Sequence, residues 1–357
     1  MKTLYSFFLL FFVSSLAACD PEKEINMQEQ INAELKKIDS LLRDSDYNIS
    51  MAKALEAAYY HASGEPAPAF PALGEDSATT TVSAKEEKIA TNLSGFYALE
   101  CGLGYLCNQT NETPVAWLKK ITNNSADSNT VLLLNRFANA TWKAAQPFRY
   151  LKRIRRATFT VANFLPPDEV IKDHHQIMHA ASKLLYSLQN VADSNTSVQM
   201  QKIRSLMQSK TYAAEIAEAM HAGYYIGQQQ TPPPLFSKED DTASIHKSSL
   251  EQRIAINVAG FYALECGLSY FAETKDILPS ALLKSILTDS INKEDKILFL
   301  RFANAAWKSG QPFRGLARIE RDNFIPFYFL DEAEVEKDMV QIKAAAKKLM
   351  DDMKATR

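Results

Sequence analysis

Glycine is scarce in this chain, with 11 residues in 357. A β-sandwich consumes glycine at its turns, so the shortage leans away from that architecture. Neither sign of charge dominates: 40 Lys and Arg against 42 Asp and Glu leave a formal net charge of −2. A nucleic-acid binder is normally basic overall, so no nucleic-acid partner is expected. Cysteine numbers only 4, too few for a disulfide-stapled scaffold. No run of 18 apolar residues follows residue 19, so no later membrane-spanning helix is expected. The sequence also lacks G-x-S-x-G, a P-loop, G-x-G-x-x-G and C-x-x-C. What remains is ordinary globular composition, 46% hydrophobic and 23% charged. The length is enough for about two domains at ~150 residues each.

Residues 1–19 read MKTLYSFFLLFFVSSLAAC. A positive Lys2, a Phe/Leu-rich stretch and small residues form the pattern of an export signal. Leu16-Ala17-Ala18-Cys19 resembles the lipobox of bacterial lipoproteins. That resemblance implies cleavage of residues 1–18, diacylglycerol on Cys19, a tether over 19–24 and a place in the bacterial cell envelope with the lipid bilayer as partner. Asp20 resembles the inner-membrane retention signal of enterobacterial lipoproteins, though the leaflet stays open. Three further cysteines, Cys101, Cys107 and Cys266, leave at least one free thiol. Cys101 and Cys107, six residues apart on a predicted helix, point too far apart for a local disulfide. Cys101 and Cys266 read as small buried hydrophobes.

The chain repeats itself. GFYALECGL at 95–103 recurs letter for letter at 260–268, and RFANATWKAAQPFR at 136–149 recurs at 301–314 with 11 of 14 positions identical. Both pairs are 165 residues apart, as are Tyr59-Tyr60 and Tyr224-Tyr225, Ile38 and Ile203, and Ala180-Ala181 and Ala345-Ala346. A constant offset predicts tandem duplication, with one unit over 25–190, a second over 195–355 and a short polar linker between them. Within each unit the periodicity is helical. Ile31, Leu35, Ile38 and Leu42 make one apolar stripe. Helices are predicted over 50–62, 84–106, 114–121, 129–146 and 167–188, with counterparts at 215–226, 247–271 and 331–353. Pro147 closes the fourth of these. Pro-rich stretches at 64–81 and 227–244 read as exposed segments or lids. No alternating strand is evident, and the expected fold is all-α, two tandem helical bundles.

The helix around 93–106 is apolar or small in almost every direction and should be buried. Glu100 sits in its apolar arc, and Glu265 repeats it. A carboxylate there needs a partner or a proton. Arg136, Asn139, Lys143 and Gln146 share one face of the 129–146 helix, with Trp142 at its margin and Arg149 just beyond. Arg301, Asn304, Lys308, Gln311, Trp307 and Arg314 reproduce them. Three readings follow. In the first, Glu100 pairs with Arg136 or Arg149 in a buried network that sets helix register. In the second, Trp142, Gln146 and Arg149 line a pocket for an anionic or planar ligand. In the third, Glu100 or Glu265 is the acid or base of a hydrolase, beside an open cleft.

Arg149, Lys152, Arg153, Arg155 and Arg156 form a basic run that reads as a solvated loop rather than a headgroup site, since Glu320 and Asp322 occupy the matching stretch. His175 and His179 have a chelating spacing, but the second unit has Val340 and Ala344 there, so no metal and no cofactor is expected. Asp76-Ser77-Ala78 and Asp241-Thr242-Ala243 resemble the O-glycosylation triplets of exported Bacteroidota proteins. The anchored, duplicated helical architecture is loosely similar to the imelysin family of exported iron-linked proteins, whose G-x-H-x-x-E motif does not occur here. The leading expectation is a non-enzymatic binding or scaffold protein of the envelope, with an envelope protein or a small anionic ligand as partner. The imelysin likeness implies an alternative, capture of iron, haem or another small anion.

Overall fold

The computed structural model describes residues 21–69, 79–146, 154, 156–190, 195–237 and 239–355. Cys19, the triplet at 76–78, Arg149, Lys152, Arg153, Arg155 and most of the linker lie outside them, as does the side chain of Arg314. The fold is all-α. The first half contains α1 (Pro21–Arg43), α2 (Ser45–Ala62), β1 (Thr79–Ser83), α3 (Ala84–Asn92), α4 (Ser94–Thr110), α5 (Pro114–Thr122), α6 (Ser128–Ala144) and α7 (Pro167–Leu188). The second contains α8 (Thr196–Met207), α9 (Lys210–Gly227), β2 (Ser244–Ser248), α10 (Ser249–Asn257), α11 (Ala259–Lys275), α12 (Pro279–Leu287), α13 (Lys293–Ser309) and α14 (Glu332–Ala355). From α2 to α6, both ends of every element recur 165 residues later.

Local chemistry sets these boundaries in matching ways. Ser83 and Ser248 each close a capping box, with Glu86 and Glu251, at the start of α3 and α10. Asp44 and Ser209 cap α2 and α9 through their side-chain oxygens. Asn111 and Asp276 end α4 and α11 in the left-handed region, at φ 58° and 51°, where Asn and Asp are better tolerated than other non-glycine residues.

Three details depart from the sequence reading. The helix expected over 84–106 is two, broken at Leu93, and its counterpart breaks at Val258. Thr79–Ser83 and Ser244–Ser248 form a two-stranded antiparallel ribbon that the short TTTVS and SIHKS segments did not announce. Among the described residues the halves also do not pack as two separate bundles joined by a linker. The centre is built by α4, α6, α11 and α13, two helices from each half, with α6 and α13 packed on each other and each on both α4 and α11. At the periphery α9 lies along α7, and α2 lies along α14, so each half lends its second helix to the other. Burial explains this choice. α4 and α11 are apolar or small in almost every direction and buried along nearly their whole length, and each is covered in part by a helix of the other half.

The interleaving has a local two-fold character. In the ribbon, Thr81 pairs with its own counterpart His246, and the register is symmetric about that pair. Phe137 stacks on its counterpart Phe302, with centroids 4.1 Å apart and planes at 20°. Close approach is secured at Gly102, where a Cβ would come within 2.6 Å of Leu134. The stretch Glu251–Lys275 is apolar enough to cross a membrane, but 78% of its apolar window is buried inside the fold, as a core helix is.

Candidate ligand-binding clefts

Glu100 and Glu265 are fully buried, as their apolar surroundings predicted. Their partners correct the expectation of Arg136, while Arg149 lies outside the described residues. Glu100 Oε2 receives the Lys308 ammonium at 2.9 Å, and Glu265 Oε2 receives that of Lys143 at 2.6 Å. Each ion pair therefore joins one half to the other. The second oxygens are also occupied. The backbone N–H of Phe327 donates to Glu100 at 2.7 Å, and that of Ala162, its counterpart, donates to Glu265 at 2.6 Å. The thiols of Cys101 and Cys266 donate to the same carboxylates at 3.2 Å. Those thiols also approach Asn304 at 3.8 Å and Asn139 at 3.6 Å, again across the halves. Burial pushes both thiols well above their ordinary range. Cys107 is buried as well, and all three cysteines are free. Such saturation holds helices in register. A hydrolase base needs water beside it, and these two carboxylates have none of their surface exposed.

The arginines go elsewhere. Arg136 donates to the Ala162 carbonyl at 3.2 Å and pairs with Glu273. Arg301 donates to the Cys101 carbonyl at 3.3 Å and lies over the Phe327 ring at 4.5 Å. Next to the lysines sit two more counterpart carboxyls, Asp173 and Asp338. Burial, with Glu169 nearby, pushes Asp173 up to about 7, and burial with Glu334 nearby does the same to Asp338.

Trp142 and Gln146 lie together on the wall of one cleft, and Arg149, expected with them, lies outside the described residues. A cleft of about 580 Å³ is lined by Trp142, Gln146 and Arg156, together with Glu87, Lys88, Thr91, Asn92 and Gln176 of the first half and His221, Tyr224, Tyr225 and Pro233 of the second. A second cleft, of about 510 Å³, is lined by Glu56, Tyr59, Tyr60 and Pro68 of the first half and Gln252, Arg253, Ile256, Asn257, Trp307, Arg321 and Gln341 of the second. Every one of these eleven residues has its counterpart, 165 positions away, on the wall of the other cleft. Seven of the eleven pairs are identical in type. Each cleft thus combines a Tyr-Tyr pair from one half with a Trp, an Arg and amides from the other.

The guanidinium is held the same way in both. Arg156 lies over Trp142 at 5.3 Å and donates to Gln146 Oε1 at 2.8 Å. Arg321 lies over Trp307 at 5.2 Å and donates to Gln311 Oε1 at 2.9 Å. Phe159 and Phe324 pack against the two tryptophans at 6.1 Å. Stacking and one hydrogen bond fix the plane of each guanidinium before any ligand arrives.

Of the residues named from the sequence, Trp142 and Gln146 line the first cleft and Trp307 the second, while Gln311 is fully buried and reaches the second cleft only through its bond to Arg321. Sequence reasoning assigned the guanidinium to Arg149 and treated Arg156 as part of a solvated run. It used Tyr59-Tyr60 and Tyr224-Tyr225 only as markers of the offset, and it missed Asn92 with Asn257 and Gln176 with Gln341. The available signal was identity at the 165-residue offset in half-buried polar and aromatic positions, where packing alone does not demand it. His175 and His179 lie on α7, and no group of three or more His, Cys, Asp or Glu able to hold a metal occurs among the described residues.

Compared with known proteins, the chain matches no family model, no curated protein and no solved structure.

Proposed function

We propose that this chain is a lipid-anchored, non-enzymatic binding protein of the bacterial cell envelope, built by internal duplication of one helical unit and carrying two related small-molecule clefts. The observation that carries the reading is the correspondence of the two cleft walls, residue for residue, at the 165-residue offset. Aromatic rings with a few fixed polar groups in a concavity of this size are what small-ligand sites are made of. The buried Glu–Lys pairs are assigned the task of holding α4, α6, α11 and α13 in register, so that walls drawn from both halves meet. The anchor rests on Leu16-Ala17-Ala18-Cys19. Several acyl chains on one cysteine give firm attachment, at ~0.8 kcal/mol for each buried CH₂.

Two measurements test this. Cys19→Ala should move the protein from the membrane to the soluble fraction; retention in the membrane would count against acylation. Native mass spectrometry of the protein gently extracted from its own membrane should show bound small molecules at up to two per chain, lost stepwise in Trp142→Ala and Trp307→Ala. Binding indifferent to both tryptophans would overturn the cleft assignment.

A further inference from the structure

The four positions at which the clefts differ leave their walls alike in charge. Glu56, Arg253 and Arg321 around Trp307, and Glu87, Lys88 and Arg156 around Trp142, each give a formal +1, with His221 neutral near pH 7 because burial lowers its pKa. Much of that charge is engaged inside the protein. Arg253 donates to Glu56 through Nε at 3.0 Å and through a terminal nitrogen. Lys88 meets Asp240 at 2.7 Å, and Glu87 has a partner of its own. Charge therefore gives the two clefts no reason to take different ligands.

What the walls share is hydrogen-bonding capacity of both kinds. Asn257 and Asn92 tie their amide nitrogens to the carbonyls of Arg253 at 2.8 Å and Lys88 at 2.9 Å, one turn back on their own helices. Their Oδ1 atoms remain as acceptors with no partner among the described residues. The tyrosine hydroxyls and indole N–H groups of both clefts also make no hydrogen bond among the described residues, and none of them is sealed from solvent. A carboxylate ligand calls for donors alone and an ammonium for acceptors alone. A hydroxyl is donor and acceptor at one atom, and a wall that mixes amides, phenols, an indole and a guanidinium matches it.

The rings narrow the choice. Tyr59 and Tyr60 stand at 87° with centroids 5.6 Å apart, and Tyr224 and Tyr225 at 83° and 5.4 Å. Each pair offers a face and an edge rather than two parallel faces, and each indole already carries its arginine. A flat heteroaromatic ligand gains most between parallel faces, whereas a saturated ring needs only one face against its C–H groups.

We propose that both clefts bind the same ligand and that it is a sugar, the C–H face of its ring on a tyrosine and its hydroxyls exchanging hydrogen bonds with the asparagine, glutamine, indole and guanidinium groups of the wall. This rests on the binding-protein reading above and names its ligand class.

Native mass spectrometry of the full chain extracted from its own membrane, followed by release of the ligand on denaturation, tests both parts. Trp142→Ala and Trp307→Ala should each lose one copy of an adduct of the same mass, and periodate, which cleaves vicinal diols, should consume the released ligand. A free sugar would appear as that adduct; a unit within a longer glycan would appear as binding of the purified chain to a glycan array. On the array, Tyr60→Phe and Tyr225→Phe should each weaken binding several-fold without loss of folding, since each removes a hydroxyl that the protein itself does not bond. A periodate-resistant adduct, or adducts of different mass in the two clefts, would overturn the proposal and leave the binding-protein reading standing. No adduct and no arrayed glycan bound would overturn both. Should a tryptophan variant not fold, the adduct masses and the periodate result on the unaltered protein decide.

Discussion

Arg136 and Arg301 are counterparts at the same place on α6 and α13, and they have different fates. Arg136 pairs with Glu273 on α11, a half-exposed carboxylate. The position equivalent to Glu273 on α4 is Asn108. Arg301, 1% exposed, consequently makes no ion pair among the described residues, and burial lowers its pKa. It relies on one carbonyl and the face of Phe327. By contrast, the Lys143–Glu265 and Lys308–Glu100 pairs are the same in both places. The comparison separates two kinds of buried charge. The lysine pairs cross between the halves, and losing either lysine would leave a buried carboxylate without its counter-ion. The arginine pairing is peripheral, and one of its two instances has been dispensed with.

Four expectations put pressure on that contrast. The largest concerns the lysines. Lys143→Met and Lys308→Met should each cost roughly 3–5 kcal/mol in chemical denaturation, since each strands a buried carboxylate. A loss under about 1 kcal/mol in either would deny the pair its structural role.

Next in size is a pH dependence. Asp173 and Asp338 titrate near 7 in the folded chain and near 3.9 when unfolded. Between those values the folded state binds the extra protons. Their contribution to stability is therefore present below about pH 4, declines as pH rises toward 7, and levels off above it. The ceiling is roughly 4 kcal/mol for each aspartate at 1.36 kcal/mol per unit. Asp173→Asn and Asp338→Asn should flatten that decline and stabilise the protein at pH 8; an unchanged slope in the double variant would place the titration elsewhere.

Smaller effects separate the arginines. Arg301→Met should be neutral or stabilising by about 1–2 kcal/mol, because it removes an unpaired buried cation. Arg136→Met should cost about 1–2 kcal/mol through the lost hydrogen bonds, with Glu273 free to turn to water. Equal losses at the two sites would erase the distinction. The smallest expected effect is repair: Asn108→Glu, at an exposed position, should give Arg301 a partner and raise stability by about 1 kcal/mol. Calorimetric melting of Asn108→Glu beside Asn108→Gln would show whether the gain is electrostatic.

Much of this arrangement could be read from side-chain periodicity. The burial of Glu100, the polar face of Arg136, Asn139, Lys143 and Gln146, and the marginal position of Trp142 all follow from helical spacing. Periodicity says which face a residue occupies but not which helix lies opposite. Arg136 and Lys143 share a face, so nothing in the spacing chose between them as partner to a carboxylate. The choice came from the third dimension, where α13 rather than α6 brings its lysine to Glu100. The break at Leu93 escaped because the apolar pattern runs through it while the backbone tightens, at ψ −12°. Arg156 was obscured by its basic neighbours, although its identity with Arg321 at the common offset marked it. The ribbon of Thr79–Ser83 with Ser244–Ser248 was too short to register as a strand, and its pairing partner lies in the other half of the chain.

The crossing of the halves is tested most directly by double-mutant cycles on the buried pairs, measured by guanidinium denaturation with Glu→Gln and Lys→Met substitutions. Crossed pairing predicts coupling on the order of 2 kcal/mol or more for Glu100 with Lys308 and for Glu265 with Lys143, and additivity for Glu100 with Lys143 and for Glu265 with Lys308. Strong coupling within a half, with none across, would contradict it.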